Sequence, residues 1–167
     1  MRRLLVVVAL GALILVGMPK KSEAGFTTSL TLGGNYSLQL SNTTEFERVG
    51  LNIEGTIGWR IPFLTVDLGV HYDFLKQNFQ LRPGLRVHLG WFYLRAAIPL
   101  AFDFKFNPND LFNMGVLFGT GFEFKIKKFS ILVEANISPF FMRIDVTDKG
   151  GGLWLPVELR LGVGYNF

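Results

Sequence analysis

The chain has 167 residues, enough for one domain, and 49% of them are hydrophobic. It contains no cysteine, which excludes a disulfide framework, a lipoprotein anchor and a thiolate metal site. After residue 17, no apolar run approaches the roughly 20 residues that a membrane-spanning helix needs.

The first 24 residues have the features of an export signal. Two arginines precede the apolar stretch Leu4–Val16, and a small-x-small cleavage site ends at Ala24. We therefore predict a cleaved signal peptide over 1–24, because an uncleaved anchor would need a longer apolar run. This segment carries four of the 17 basic and one of the 13 acidic groups, so residues 25–167 keep 13 and 12, a net charge of +1. That near-neutral balance gives no indication of a nucleic-acid partner.

Residues 25–167 divide into eight segments, about 18 residues each with their turns, in which apolar and polar residues alternate. A period of two is typical of a β-strand with one apolar and one polar face. In chain order, the predicted strands cover 29–40, 49–61, 64–74, 81–91, 93–105, 112–125, 129–143 and 153–167.

The last segment shows the alternation along its whole length. Its apolar positions are Leu153, Leu155, Val157, Leu159, Leu161, Val163, Tyr165 and Phe167. The residues between them are mostly polar or glycine. A terminal strand ending on exposed aromatics is unusual in a soluble protein, whose termini usually fray into water.

The connections between segments alternate in length. Polar, longer connections are predicted at 41–48, 76–80, 106–110 and 145–152, and tight turns near 62, 91 and 127. Four long and three short connections fit eight strands with both ends on one side of a membrane. The chain is therefore predicted to be all-β, an eight-stranded antiparallel up-and-down transmembrane β-barrel over 25–167, closed between its last and first strands.

The strand charges indicate which face of the wall points inward. All 15 charged residues of the predicted strands share the polar face, seven acidic and eight basic. A lipid-facing wall excludes charge, and eight strands enclose only enough space for side chains, so we expect an ion-paired interior and no pore. The predicted interior charge network is Glu54, Arg60, Asp67, Asp73, Arg82, Arg86, Arg95, Asp103, Glu123, Glu134, Glu158 and Arg160. If the connection after the third strand is centred near residue 77, Asp73 faces Arg82 and Asp67 faces His88.

A soluble secreted barrel of the lipocalin type is the alternative fold. It would place the apolar faces inward and the charges outward. Apolar faces this rich in Leu and Phe would then require an oversized core. Aromatic residues also gather at both ends of the segments, as they do in the interface girdles of outer-membrane barrels.

The ending Gly-Val-Gly-Tyr-Asn-Phe resembles the C-terminal strand of Gram-negative outer-membrane barrels, in particular the outer-membrane protein X and Ail family and, more loosely, the outer-membrane protein A membrane domain. The resemblance implies an outer-membrane location, contact with outer-membrane lipid and lipopolysaccharide, and help from periplasmic chaperones and the barrel assembly machinery. We also expect the barrel to be a monomer. The implied assembly signal is Leu159, Leu161, Val163, Tyr165 and Phe167. The short predicted outer loops depart from the Ail pattern.

An enzyme acting on lipid A in the outer leaflet is the alternative function. Acyl transfer needs a nucleophile or activated water with a histidine base and an orienting acid. The chain has only two histidines, both inward by alternation, with His88 near the tight-turn end. His71 with Asp73 is the best candidate pair, and Ser37 or Ser138 the candidate nucleophile. A hydrogen-bonded interior role for His71 is the simpler interpretation, and no spacing indicates a cofactor or a metal site. The sequence therefore predicts a non-enzymatic barrel with a structural or surface-interaction role.

Overall fold

The computed structural model describes seven stretches of the chain. They are 24–40, 45–46, 50–75, 77–103, 113–138, 140–143 and 153–167. The predicted signal peptide lies outside the described residues, apart from Ala24. So do the predicted loops at 106–110 and 145–152, and most of the loop at 41–48.

The described residues form twelve β-strand segments. These are β1 Gly25–Leu40, β2 Glu45–Phe46, β3 Gly50–Ile61, β4 Leu64–Asp73, β5 Asn78–Leu89, β6 Phe92–Ala97, β7 Leu100–Asp103, β8 Asn113–Gly115, β9 Leu117–Ile126, β10 Phe129–Ile137, β11 Phe140–Arg143 and β12 Leu153–Asn166. In the described part of the chain, no helix is long and apolar enough to cross a membrane.

The twelve segments make eight passages of one closed antiparallel sheet. Four passages each contain two of the described segments: β2 with β3, β6 with β7, β8 with β9, and β10 with β11. Around the tight-turn end the ring order is β1-β3-β4-β5-β6-β9-β10-β12, and β12 pairs back onto β1 from Thr27↔Asn166 to Leu40↔Leu153. The predicted eight-stranded antiparallel barrel, including the pairing of its last strand with its first, is confirmed.

A proline lies at the interruption between β6 and β7. Pro99 is buried and has no backbone N–H, so it cannot donate to a neighbouring strand. The adjacent backbone still bonds across the wall: the amide of Ile98 donates to the Pro83 carbonyl at 2.9 Å, and Gly115 donates to the Pro99 carbonyl at 3.2 Å. The wall therefore stays closed at this point.

The predicted loop at 76–80 is wrong. β4 ends at Asp73 and β5 begins at Asn78, and the connection between them contains Gln77 with a φ of 51°. Because this turn is centred two residues earlier than predicted, the register shifts: Asp73 faces Asn78, and Gly69 faces Arg82. The expected pairs Asp73–Arg82 and Asp67–His88 are therefore also wrong.

Burial alternates along the strands, as in the patterns of β3 and β4. The buried positions are mostly polar or charged, and the exposed positions are mostly large and apolar. The core of this molecule therefore lies on the lumen side of the wall and is built mainly from hydrogen bonds and ion pairs.

Candidate functional site

The strand alternation places most of the predicted network inside the barrel. Eleven of its twelve residues are buried, namely Glu54, Arg60, Asp67, Asp73, Arg82, Arg86, Arg95, Glu123, Glu134, Glu158 and Arg160. The twelfth, Asp103, ends β7, and its side chain lies outside the described residues.

Glu54 is the centre of the interior network. Its Oε2 lies 2.8 Å from Arg82 Nη1 and also accepts a hydrogen bond from Arg160 Nη1. Its Oε1 lies 2.6 Å from Arg95 Nη2. Since β5, β6 and β12 supply these guanidinium groups, one carboxylate on β3 ties together four strands of the wall.

Space for these long side chains comes from small residues on the inner face. A Cβ added to Gly69 would lie 2.7 Å from Glu54 Oε1 and 3.1 Å from Arg95 Nη2. A Cβ on Gly121 would lie 2.6 Å from the Tyr93 ring. Glycine at both positions lets a neighbouring side chain lie directly against the backbone.

A second group of contacts surrounds Glu134 on β10. Arg160 Nη2 lies 2.9 Å from its Oε2, and the Tyr93 hydroxyl donates to its Oε1 at 2.5 Å. Arg86 connects this group to Asp67, with Nε at 2.6 Å from Oδ2. Tyr93 was not among the predicted network residues, although the alternation along β6 places it on the inner face.

The central cluster is electrically balanced. It contains four carboxylates and four guanidinium groups, from Glu54, Asp67, Glu134, Glu158, Arg82, Arg86, Arg95 and Arg160. Buried charges cost several kcal/mol each in desolvation unless they are paired and hydrogen-bonded. Equal numbers of both signs allow each charge in this interior to have an opposite partner.

Two ion pairs cross the full width of the barrel. Arg82 on β5 contacts Glu158 on β12 at 2.7 Å, and these strands are four places apart in the ring of eight. Nearer the tight turns, Arg60 on β3 contacts Glu123 on β9 at 2.7 Å, again between opposite strands. The lumen is therefore bridged by side chains at two levels.

His88 extends the network at the tight-turn end. Arg60 Nη2 donates to its Nδ1 at 2.7 Å, so Nε2 carries the proton and donates to the Thr65 hydroxyl at 2.9 Å. These side chains line a cavity of about 20 Å³, which is room for one water molecule. Hydroxyl groups of Ser29 and Thr56, which hydrogen-bond each other, also face this cavity.

The candidate catalytic residues are not arranged as a triad. The carboxylates near His71 belong to Glu54, 3.6 Å from Nδ1, and to Glu158, 3.9 Å from Nε2. Asp73 instead accepts hydrogen bonds from the Asn35 amide and from the Leu75 backbone. Ser138 is buried, and the side chain of Ser37 lies outside the described residues. Among the described residues, no three His, Asp or Glu side chains are grouped to hold a metal ion.

The residues of the predicted assembly signal lie on the outer face of β12 and at Phe167, the residue that follows it. Leu159, Leu161, Val163 and Phe167 are exposed, and Tyr165 is half-buried. The Tyr165 ring packs edge-on against Phe129 at 5.1 Å and against Phe167 at 4.9 Å. Phe167 also contacts Phe26 on β1 at 5.6 Å. The last residues of the chain therefore join an exposed aromatic cluster at the seam where the barrel closes.

A closed eight-stranded barrel with ion pairs inside and apolar side chains outside has the fold of the small outer-membrane barrels. The structure is similar to Neisserial surface protein A (TM-score 0.56, 17% identity) and to the N-terminal β-barrel domain of Pseudomonas aeruginosa OprF (TM-score 0.55, 13% identity). Each similarity covers 87% of this chain and 100% of the other. The attachment invasion locus protein Ail of Yersinia pestis gives a TM-score of 0.45 at 12% identity over the same shares. No protein-family model and no curated protein matches the chain. The predicted resemblance to small outer-membrane barrels is confirmed at the level of the fold.

Proposed function

We propose that this protein is an integral outer-membrane β-barrel with a structural or surface-interaction role, no open pore and no enzymatic activity. The observation that carries the proposal is the inverted sorting of side chains: charges are buried in the lumen, and large apolar residues cover the exposed wall. In water this wall would be one continuous apolar surface, far beyond what soluble monomers expose. A lipid bilayer is the medium that suits it.

The strand lengths agree with a membrane wall. β3, β5 and β12 have 12, 12 and 14 residues, and a tilted strand needs about 9–11 to cross the hydrocarbon core. The tight turns after β3, β5 and β9 would then face the periplasm, and the longer connections the cell exterior. One protein of similar fold is named a surface protein. Lipopolysaccharide would surround the outer half of the barrel.

Membrane residence can be tested by fractionation and by gel mobility. The protein should sediment with the outer membrane, and boiled and unboiled samples in detergent should migrate differently because a closed barrel resists unfolding. A protein that stays in the soluble fraction would contradict the proposal.

The cross-barrel pairs support a plugged interior. Arg82–Glu158 and Arg60–Glu123 join opposite strands and so place ion-paired side chains across the lumen at two levels. Purified protein in a planar bilayer should therefore show no steady conductance. Stable single-channel steps would overturn the closed-pore part of the proposal and leave membrane residence intact.

The aromatic end of β12 supports a role in assembly. Because the exposed Phe167 is a peripheral part of the fold, its removal should cost little stability once the barrel has formed. We propose that the barrel assembly machinery and periplasmic chaperones recognise this strand. Deleting Phe167 should lower the amount of folded barrel in the outer membrane while leaving refolding in detergent intact. Equal insertion of both forms would refute the assembly role.

The absence of enzymatic activity is tested at His71. Its ring lies between Glu54 and Glu158 in the closed interior, away from the lipid-facing wall where a lipid A substrate would lie. His71→Ala should leave the acylation pattern of lipid A unchanged in mass spectra. A change that tracks this substitution, in cells with equal barrel levels, would favour the lipid A enzyme.

A further inference from the structure

The tight turn between β9 and β10 carries a concentration of positive charge at one end of the barrel. Lys127 and Lys128 form the turn, Lys127 with a φ of 59°, and both side chains are exposed. Lys125, two residues earlier, is exposed as well. The other tight turns, Pro62–Phe63 and Gly90–Trp91, contain no charged residue. Among the three tight turns, charged residues are therefore found in the β9–β10 turn alone.

In the part of the chain that the structure describes, neither Lys127 nor Lys128 forms an ion pair. The nearest acidic residue in sequence, Glu123, gives both carboxylate oxygens to Arg60, at 2.7 and 3.1 Å. Two exposed ammonium groups thus remain available to an external anion.

The apolar surroundings indicate what kind of anion fits. The Lys128 ammonium lies 5.9 Å from the ring centroid of Tyr165, which belongs to the outer aromatic cluster. On the other side of the turn, Trp91 lies 6.5 Å from Phe124 on the outer face of β9. A ligand bound here would contact the lysine ammonium groups at the rim and the aromatic rings of Tyr165 and Trp91 on the wall beside them. A phospholipid with an anionic headgroup has this layout, whereas a soluble anion would gain nothing from the rings.

We propose that the Lys127–Lys128 turn, with Tyr165 and Trp91, binds the headgroup of an anionic phospholipid of the phosphatidylglycerol type. This inference rests on the proposed membrane location and adds a lipid preference at one sector of the wall. An exposed lysine near a membrane surface strengthens binding to anionic lipid by about fivefold. The contacts are exposed, so added salt should weaken the preference.

The strand order supplies a built-in comparison. Trp91 is 66% exposed and lies beside β9, while Trp59 is 56% exposed at the same end of β3. β3 and β9 stand opposite each other in the ring. With Trp154 replaced by Phe, Trp59→Phe leaves Trp91 as the reporter of the lysine sector, and Trp91→Phe leaves Trp59 as the reporter of the opposite side.

The experiment measures quenching of each tryptophan by brominated lipids in vesicles of full-length barrel. One sample contains brominated phosphatidylglycerol with unbrominated phosphatidylcholine, and the other contains brominated phosphatidylcholine with unbrominated phosphatidylglycerol. Quenching of Trp91 should show that phosphatidylglycerol binds next to it at least about fivefold more strongly than phosphatidylcholine. Trp59 should show little preference. Lys127→Gln with Lys128→Gln should abolish the preference at Trp91, and arginine at both positions should retain it.

Lys125→Gln is the matched control. Lys125 shares the lumen face of β9 with the buried Glu123, so removing its charge should leave most of the preference intact. Equal preference at Trp91 and Trp59, or a preference that survives the double Gln variant, would overturn the inference. If brominated phosphatidylcholine fails to quench either tryptophan, the barrel is not in the bilayer and the proposed function itself fails.

Discussion

The two faces of β12 show the contrast between the inside and the outside of this barrel. Glu158 and Arg160 are each 2% exposed, whereas Leu159 and Leu161 are 66% and 63% exposed. A soluble strand would show the opposite arrangement. The inner residues are held by specific partners, while the outer residues depend on the surrounding medium. Substitutions on the two faces should therefore respond to different conditions.

The largest expected effect is on the inner face, at Glu54. Glu54→Gln leaves Arg82, Arg95 and Arg160 without their shared carboxylate and should cost about 3–5 kcal/mol in the free energy of unfolding. Denaturant unfolding in lipid vesicles measures this loss. Adding Arg95→Met restores the charge balance and should recover part of the stability. If Arg95→Met lowers the free energy of unfolding of the Glu54→Gln variant further, charge balance is not what stabilises the interior.

On the outer face, Leu161→Arg tests whether the wall faces lipid. A charge in the middle of a lipid-facing strand should cost about 2–4 kcal/mol in vesicles. Leu161→Ala removes the side chain without adding charge and should cost less. On a water-facing surface the arginine would be tolerated, so an unchanged unfolding midpoint would contradict the membrane assignment of this face.

A tyrosine on each face gives a matched comparison. Tyr93→Phe removes the donor to Glu134 Oε1 and should cost about 1.5–3 kcal/mol, because the lost hydrogen bond involves a buried charge. Tyr72 on β4 lies on the outer face, its ring against Phe74 at 5.2 Å. Tyr72→Phe keeps that ring contact and should change the unfolding free energy by less than Tyr93→Phe. Equal losses would mean that the hydroxyl of Tyr93 contributes little.

The smallest expected effect concerns a neutral hydrogen bond on the inner face. The Thr31 hydroxyl donates to the Glu54 carbonyl at 3.3 Å, and Thr31→Val keeps the side-chain shape while removing this donor. The unfolding free energy should fall by about 0.5–1.5 kcal/mol. A loss as large as that of Glu54→Gln would show that the charged pairs are not the dominant inner contacts.

The alternation of residues predicted which side chains point inward, but not which of them pair. The alternation of apolar and polar residues placed Arg82 and Glu158 on the same face of the wall. Their contact, however, depends on β5 and β12 standing opposite each other in the closed ring. Tyr93 was overlooked as a network member because a tyrosine on a polar face has no charge to mark it. The expected pairs of Asp67 and Asp73 were wrong because the turn is centred two residues earlier than predicted, which moves every partner along the hairpin by four positions.

The sequence by itself determined the number of strands, the division of the wall into an apolar and a polar face, and the residues of the inner face. A period of two and the exclusion of charge from one face are local properties, so they can be read without knowing the fold. Only the tertiary structure decided the register, the interruption at Pro99 and the convergence of Arg82, Arg95 and Arg160 on Glu54. The convergence on Glu54 depends on closing the ring, which brings Arg160 into contact with Glu54, 106 positions away in the chain.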